Sequence, residues 1–171
     1  MNPPEFSRPV DVRQAQGKAM QLTASAEECA ALSERFGLVR IDRLTAELLL
    51  SRDGDAVAGH GTLDAAIVQT CAVSGDDLPV TIAEPLFFRF VPASDASQLA
   101  EEVELGADDF DEIEFEGTMI DVGEAAAQSL ALAIDPFAEG PGAEEARRRA
   151  GILGEGEAGP FAALAALKKK I

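Results

Sequence analysis

The chain has 171 residues and a formal charge of -17, from 31 acids against 14 bases, with 47% apolar residues and an aromatic share made entirely of Phe. That length and apolar content suit one cored domain with tails and exclude a chain disordered throughout. The charge excludes the body as a binder of polyanions such as duplex nucleic acid or an anionic membrane surface, and points to basic proteins as partners.

No run approaches the roughly 20 apolar residues that span a bilayer. Met1-Asn2-Pro3-Pro4-Glu5 lacks the charged and apolar regions of a signal peptide, so a cytoplasmic protein is expected. Cys29 and Cys71 fall in different predicted elements, and no disulfide is expected in a reducing compartment.

Phe6, Val10 and Val12 predict a first strand over 5–12, and a second follows over 19–22 after the turn Gln14 to Gly17. Ser25-Ala26-Glu27-Glu28 reads as a capping box opening a helix that runs to Phe36, with Gly37 as its left-handed stop. Cys29, Leu32 and Phe36 share one face of that helix. Residues 38–52 read as a strand, Asp53-Gly54-Asp55 as a turn, and 56–73 as the returning strand, broken or bulged near Gly59-His60-Gly61. Ser74-Gly75-Asp76-Asp77 then turns the chain into a further strand through Val80, Ile82, Leu86, Phe88 and Phe90. This hairpin is expected at the centre of an antiparallel sheet, with Pro85 at a bulge or an edge.

From Glu101 to Glu116 acids recur with no base among them. Val103 with Leu105 and Ile113 with Phe115 alternate with those acids, which predicts two short edge strands flanking a solvated loop. Met119-Ile120-Asp121 opens a second helix with Asp121 as N-cap and Glu124 in its first turn. Its stripe is Val122, Ala126, Leu130 and Ile134, and Asp135-Pro136 ends it. Residues 137–159 read as an acidic, glycine-rich linker with a short helix over 143–150. Pro160 begins a last helix carrying Phe161, Leu164 and Leu167, with Lys168-Lys169-Lys170 at its end. The expected architecture is α+β: an antiparallel, partly barrel-like sheet with two packed helices over 1–136, and a flexible tail, 137–171, bearing the short amphipathic helix.

Several stretches in this order carry a resemblance. They are Phe6-Ser7-Arg8, the helix ending Glu34-Arg35-Phe36-Gly37, Val68-Gln69-Thr70-Cys71, and Phe88-Arg89-Phe90-Val91-Pro92. They continue with Glu116-Gly117, Ile120-Asp121-Val122-Gly123-Glu124, and the terminal Pro160 to Lys168. Together they resemble the family named for the large ribosomal RNA accumulation protein YceD, in its alphaproteobacterial branch. The resemblance implies a non-enzymatic role in accumulating large-subunit ribosomal RNA, that is, in ribosome assembly. Members of that family often carry C-x-x-C at the hairpin and further cysteines later. Here Cys71 matches the first, Ser74 stands at the second, and no cysteine follows. With one His and two Cys the chain lacks the ligands of a four-coordinate zinc site, so neither metal nor cofactor is expected.

As a nucleophile Cys71 needs a base, and the sole histidine, His60, lies on the same predicted strand run, too far along it to meet the thiol. Both Cys71 and Cys29 are therefore read as small buried hydrophobes. Asp108-Asp109-Phe110-Asp111-Glu112 lacks the order of an EF-hand loop, which has a glycine at its sixth position and a bidentate glutamate at its twelfth. The acids read either as a solvated face that keeps the chain soluble or as a docking surface for a basic partner, formed by Glu101, Glu102, Glu104, Asp108, Asp109, Asp111, Glu112 and Glu114; the resemblance implies that this partner is a basic ribosomal protein or a pre-large-subunit particle. Phe161, Leu164, Leu167 and Lys168 are read as a second partner-binding element, a helix that docks in a groove of another molecule, the alternative being that it packs on its own domain. Direct RNA contact through Arg147 to Arg149 and Lys168 to Lys170 is expected to be weak. The alternative is a small-molecule hydrolase or carrier with an interior pocket in the sheet, which an enclosed cavity with convergent polar groups would reveal.

Overall fold

A computed structural model describes residues 4–93 and 111–151. The strands are β1 (Pro9–Asp11), β2 (Lys18–Thr23), β3 (Arg40–Asp53), β4 (Ala56–Thr70), β5 (Asp77–Pro92), β6 (Asp111–Phe115) and β7 (Met119–Asp121); the helices are α1 (Ala26–Phe36), α2 (Val122–Ala133) and α3 (Ala143–Arg149). The fold is α+β. One sheet has five strands in the order β2-β3-β4-β5-β6, and a second is the pair β1-β7.

The chain divides into two units, Met1–Gln69 with Pro79–Asp135, and Thr70–Leu78 with Pro136–Ile171. In the first, alternate residues of the strands supply one buried layer. Leu44, Ala46, Leu48 and Leu50 of β3, Leu63, Ala65 and Ile67 of β4, and Leu86, Phe88 and Phe90 of β5 lie in it with Leu32 of α1 and Ala126 and Leu130 of α2. Period-two alternation is what places each strand's apolar residues on that side. In the second unit, Ala143 of α3 and Cys71 are buried.

Several expectations are corrected. β6 pairs with β5 in parallel, Phe88 opposite Asp111 through Pro92 opposite Phe115. A parallel pair needs a long crossover, which the chain between Pro92 and Asp111 has the length to supply, whereas an antiparallel neighbour needs only a turn. The sheet stays open among the described residues, as a partly barrel-like sheet allows, with β2 and β6 as its two ends. Met119–Asp121 is a strand rather than the opening of a helix, because it pairs with β1 through Val10 opposite Ile120. The first strand is correspondingly shorter than expected.

β4 runs unbroken past Gly59-His60-Gly61, and the irregularity sits on β3 between Ile41 and Arg43. The glycines answer to packing. A Cβ at Gly59 would stand 2.2 Å from the Phe88 ring, and one at Gly61 1.8 Å from the Glu47 carbonyl oxygen. On the flank toward β6, the register pairs begin only at Phe88, so the stretch of β5 holding Pro85 has a described strand neighbour on one side.

The Phe6-Ser7-Arg8 motif ties the N-terminal segment to both helix starts. Asp121 caps α2 by accepting from the N–H groups of Gly123 and Glu124, each at 3.1 Å, and also accepts from Arg8 N–H at 2.7 Å and from the Ser7 hydroxyl. Arg8 in turn holds Glu28 through two bonds of 2.7 and 3.0 Å, while Glu28 completes the capping box of α1 with Ser25. The segment lies so close to α2 that a Cβ at Gly123 would meet the Phe6 carbonyl oxygen at 2.4 Å.

Candidate partner-binding face

The side of the five-stranded sheet opposite the core would be polar if it only met water. Leu48-Leu49-Leu50 and Leu86-Phe87-Phe88 break that rule, since consecutive apolar residues on a strand put one on each face. Leu49 and Phe87 are each 52% exposed. Register sets Ala19 of β2 opposite Leu49, and Leu49 opposite His60. The His60 ring meets Phe87 edge to face, with centroids 5.7 Å apart. A row of Ala19, Leu49, His60 and Phe87 thus crosses four strands.

Carboxylates flank this row. Glu47, one step along the same face of β3, accepts from the Gln21 amide at 3.3 Å. At the far end of the sheet Glu112 stands beside Arg89 and Glu114 beside Val91, all on the outer face. Arg89 reaches Glu112 and Asp53 at 3.5 Å each, a loose bridge between exposed groups. Of the grooves on this unit, two adjoin residues of the row. One, about 540 Å³, runs beside Leu49 and His60 with Glu47 in its wall. The other, about 560 Å³, lies between β5 and the end of α2, lined by Glu84, Phe87 and the exposed Leu132. Both are open to solvent, and neither is lined by Lys or Arg.

Of the residues singled out in the sequence, Glu112 and Glu114 are exposed on β6 and Asp111 begins that strand. Glu101, Glu102, Glu104, Asp108, Asp109, Phe161, Leu164, Leu167 and Lys168 lie outside the described residues. Sequence reasoning missed Leu49, His60 and Phe87 as a surface feature. The signal was present in the doubled apolar residues, because once Leu48 and Phe88 are assigned to the core their neighbours must face outward.

Cys71 is 2% exposed, in the second unit. Its surroundings are polar: the sulfur accepts backbone N–H groups from Gly140 at 3.2 Å and Ser74 at 3.4 Å. These bonds, that of Gly140 foremost, hold its pKa down to about 6. Cys29, by contrast, is pushed upward by burial, as a small buried hydrophobe should be. Among the described residues no group of three or more His, Cys, Asp or Glu side chains is placed to hold a metal ion. No described helix is long and apolar enough to cross a membrane. Compared with known proteins, the chain matches no family model, no curated protein and no solved structure.

Proposed function

We propose that this chain is a non-enzymatic binding module that supports large-subunit ribosome assembly by holding a basic protein, a free ribosomal protein or one within a pre-ribosomal particle. The observation that carries the reading is the outer sheet face, where an exposed apolar row runs beside Glu47, Glu112 and Glu114 on a chain of charge -17. Apolar anchors such as Leu49 and Phe87 supply affinity when a partner covers them, while carboxylates around them select cationic partners and repel nucleic acid. The resemblance to the YceD family supplies the ribosomal context, and cytoplasmic residence belongs to the same proposal.

The test is co-purification with quantitative mass spectrometry, using the full chain as bait. Basic ribosomal proteins should be recovered at about 50 mM salt and lost by about 500 mM, as screening of exposed charges requires. The double variant Leu49→Ser/Phe87→Ser and the double variant Glu112→Gln/Glu114→Gln should each cut recovery several-fold. Recovery that ignores both salt and these substitutions would remove the proposed grip.

A further inference from the structure

β6 is the last strand of its sheet, so among the described residues its outer edge offers unpaired backbone N–H and C=O groups. Such an edge is a template for another strand. Three features of this edge say what that strand would be. First, the register puts Ile113 beside Phe90 on the core side, and Ile113 and Phe115 pack against the core yet stay half-buried, whereas Phe90 is buried. Among the described residues the apolar layer therefore ends here with one side open. Second, Glu112 and Glu114 alternate with these two and face outward, both exposed. Third, a second copy of β6 laid along this edge would bring like charges close on adjacent strands, which is unfavourable. The edge thus discourages its own kind. The other end of the sheet, β2, carries Lys18, Gln21 and Thr23 and no carboxylate of its own, so that edge lacks the acidic pair that Glu112 and Glu114 give β6.

We propose that β6 accepts an added strand from a basic protein: an extended segment in which Lys or Arg alternates with apolar residues. The apolar residues continue the core layer over Ile113 and Phe115, and the basic residues lie beside Glu112 and Glu114. Main-chain bonds supply much of the affinity and the alternation supplies the choice of partner. The inference rests on the reading of the chain as a handler of basic proteins and adds how the partner is held.

The experiment uses the full chain and end-blocked synthetic peptides of alternating Lys and Val, followed by calorimetry or fluorescence anisotropy. Alternate amides of a strand point to opposite edges. Methylating the backbone nitrogens of the Lys residues in one peptide and of the Val residues in another therefore blocks one edge at a time. Strand addition predicts that one methylated peptide loses binding at least tenfold while the other keeps it. The exposed double variant Glu112→Lys/Glu114→Lys should prefer a peptide of alternating Glu and Val. Equal, salt-sensitive binding of all Lys/Val peptides would overturn strand addition and leave the electrostatic reading standing. No binding of the unmodified peptide, with ribosomal proteins still co-purifying, would overturn it too. Loss of both would sink the parent reading as well.

Discussion

At the scale of single residues, Cys71 shows how backbone geometry sets chemistry. A thiol buried among apolar groups keeps its proton, but N–H donors aimed at the sulfur favour the thiolate. With the pKa lowered to about 6, Cys71 should titrate well below Cys29, which is shifted upward. The chain has no Tyr and no Trp, so thiolate absorbance near 240 nm is read against a low background. One absorbance step with a midpoint about 6 should appear, persist in Cys29→Ala and vanish in Cys71→Ala. A lowered folded-state value also fixes the sign of the stability effect. The contribution is fully present above the unfolded thiol's pKa and is lost as pH falls through about 6. Replacing Cys71 by Ala should therefore cost more stability at pH 8 than at pH 5; an equal cost at both would show that the sulfur stays protonated. The sequence showed Cys71 but not its donors, because Gly140 lies 69 positions away. Gly61 was equally opaque. It looks like a strand breaker, yet the nearby Glu47 carbonyl is what excludes a side chain there. Gly61→Ala should destabilise by about 3 kcal/mol or more, the scale of overpacking against backbone that cannot yield, as a urea melt would measure.

Among the elements, the helix ends and the hairpin partners β3-β4 and β4-β5 were legible, and the partners distant in sequence were not. The capping box at Ser25 and Glu28, the left-handed Gly37 with φ 66°, and the Asp121 cap all appear where the sequence put them. Each is a local arrangement written within four residues. The pairing of β1 with β7 and of β6 with β5 depends on partners distant in sequence, and the alternating pattern gives a strand's faces without naming its neighbour. For the same reason β6 and its two outward acids were foreseen, while its parallel direction was not. Asp121 joins the local and the remote. It caps α2 and also receives Arg8 and Ser7 from the N-terminal segment. Asp121→Ala removes the cap and leaves the Arg8 N–H without its acceptor, a loss of about 2 kcal/mol, or about 6 °C in a chain of this size. Asp121→Asn keeps an acceptor and should recover at least half of that. Thermal melts of the two variants check it; equal losses would mean that the negative charge, rather than the hydrogen-bond geometry, holds the segment.

For the molecule as a whole, charge dominates. Arg8, Arg13, Arg35, Arg40, Arg89, Arg147 and Arg149 already sit in ion pairs. Were every base paired, the acids would still exceed them by 17. This surplus repels itself in the folded state, and the repulsion weakens as the screening length falls from about 30 Å at 0.01 M salt to about 10 Å at 0.1 M. The ion pairs oppose that trend only weakly where exposed. Arg35, shared between Glu5 and Glu124, is among the better sheltered, and its bond to Glu124 lowers that carboxyl's pKa. Folding stability should therefore rise with salt over the range in which the proposed partner binding is expected to fall. Differential scanning fluorimetry across about 0.01 to 0.3 M NaCl should show Tm climbing by a few degrees. The variant Glu112→Gln/Glu114→Gln should start from a higher Tm at low salt, since it removes two repelling charges, while recovering less of the basic partner. Stability and binding would then move in opposite directions under a single substitution, as expected of acids kept for recognition at some cost to the fold. A variant that lost both together would show instead that Glu112 and Glu114 hold the sheet edge in place.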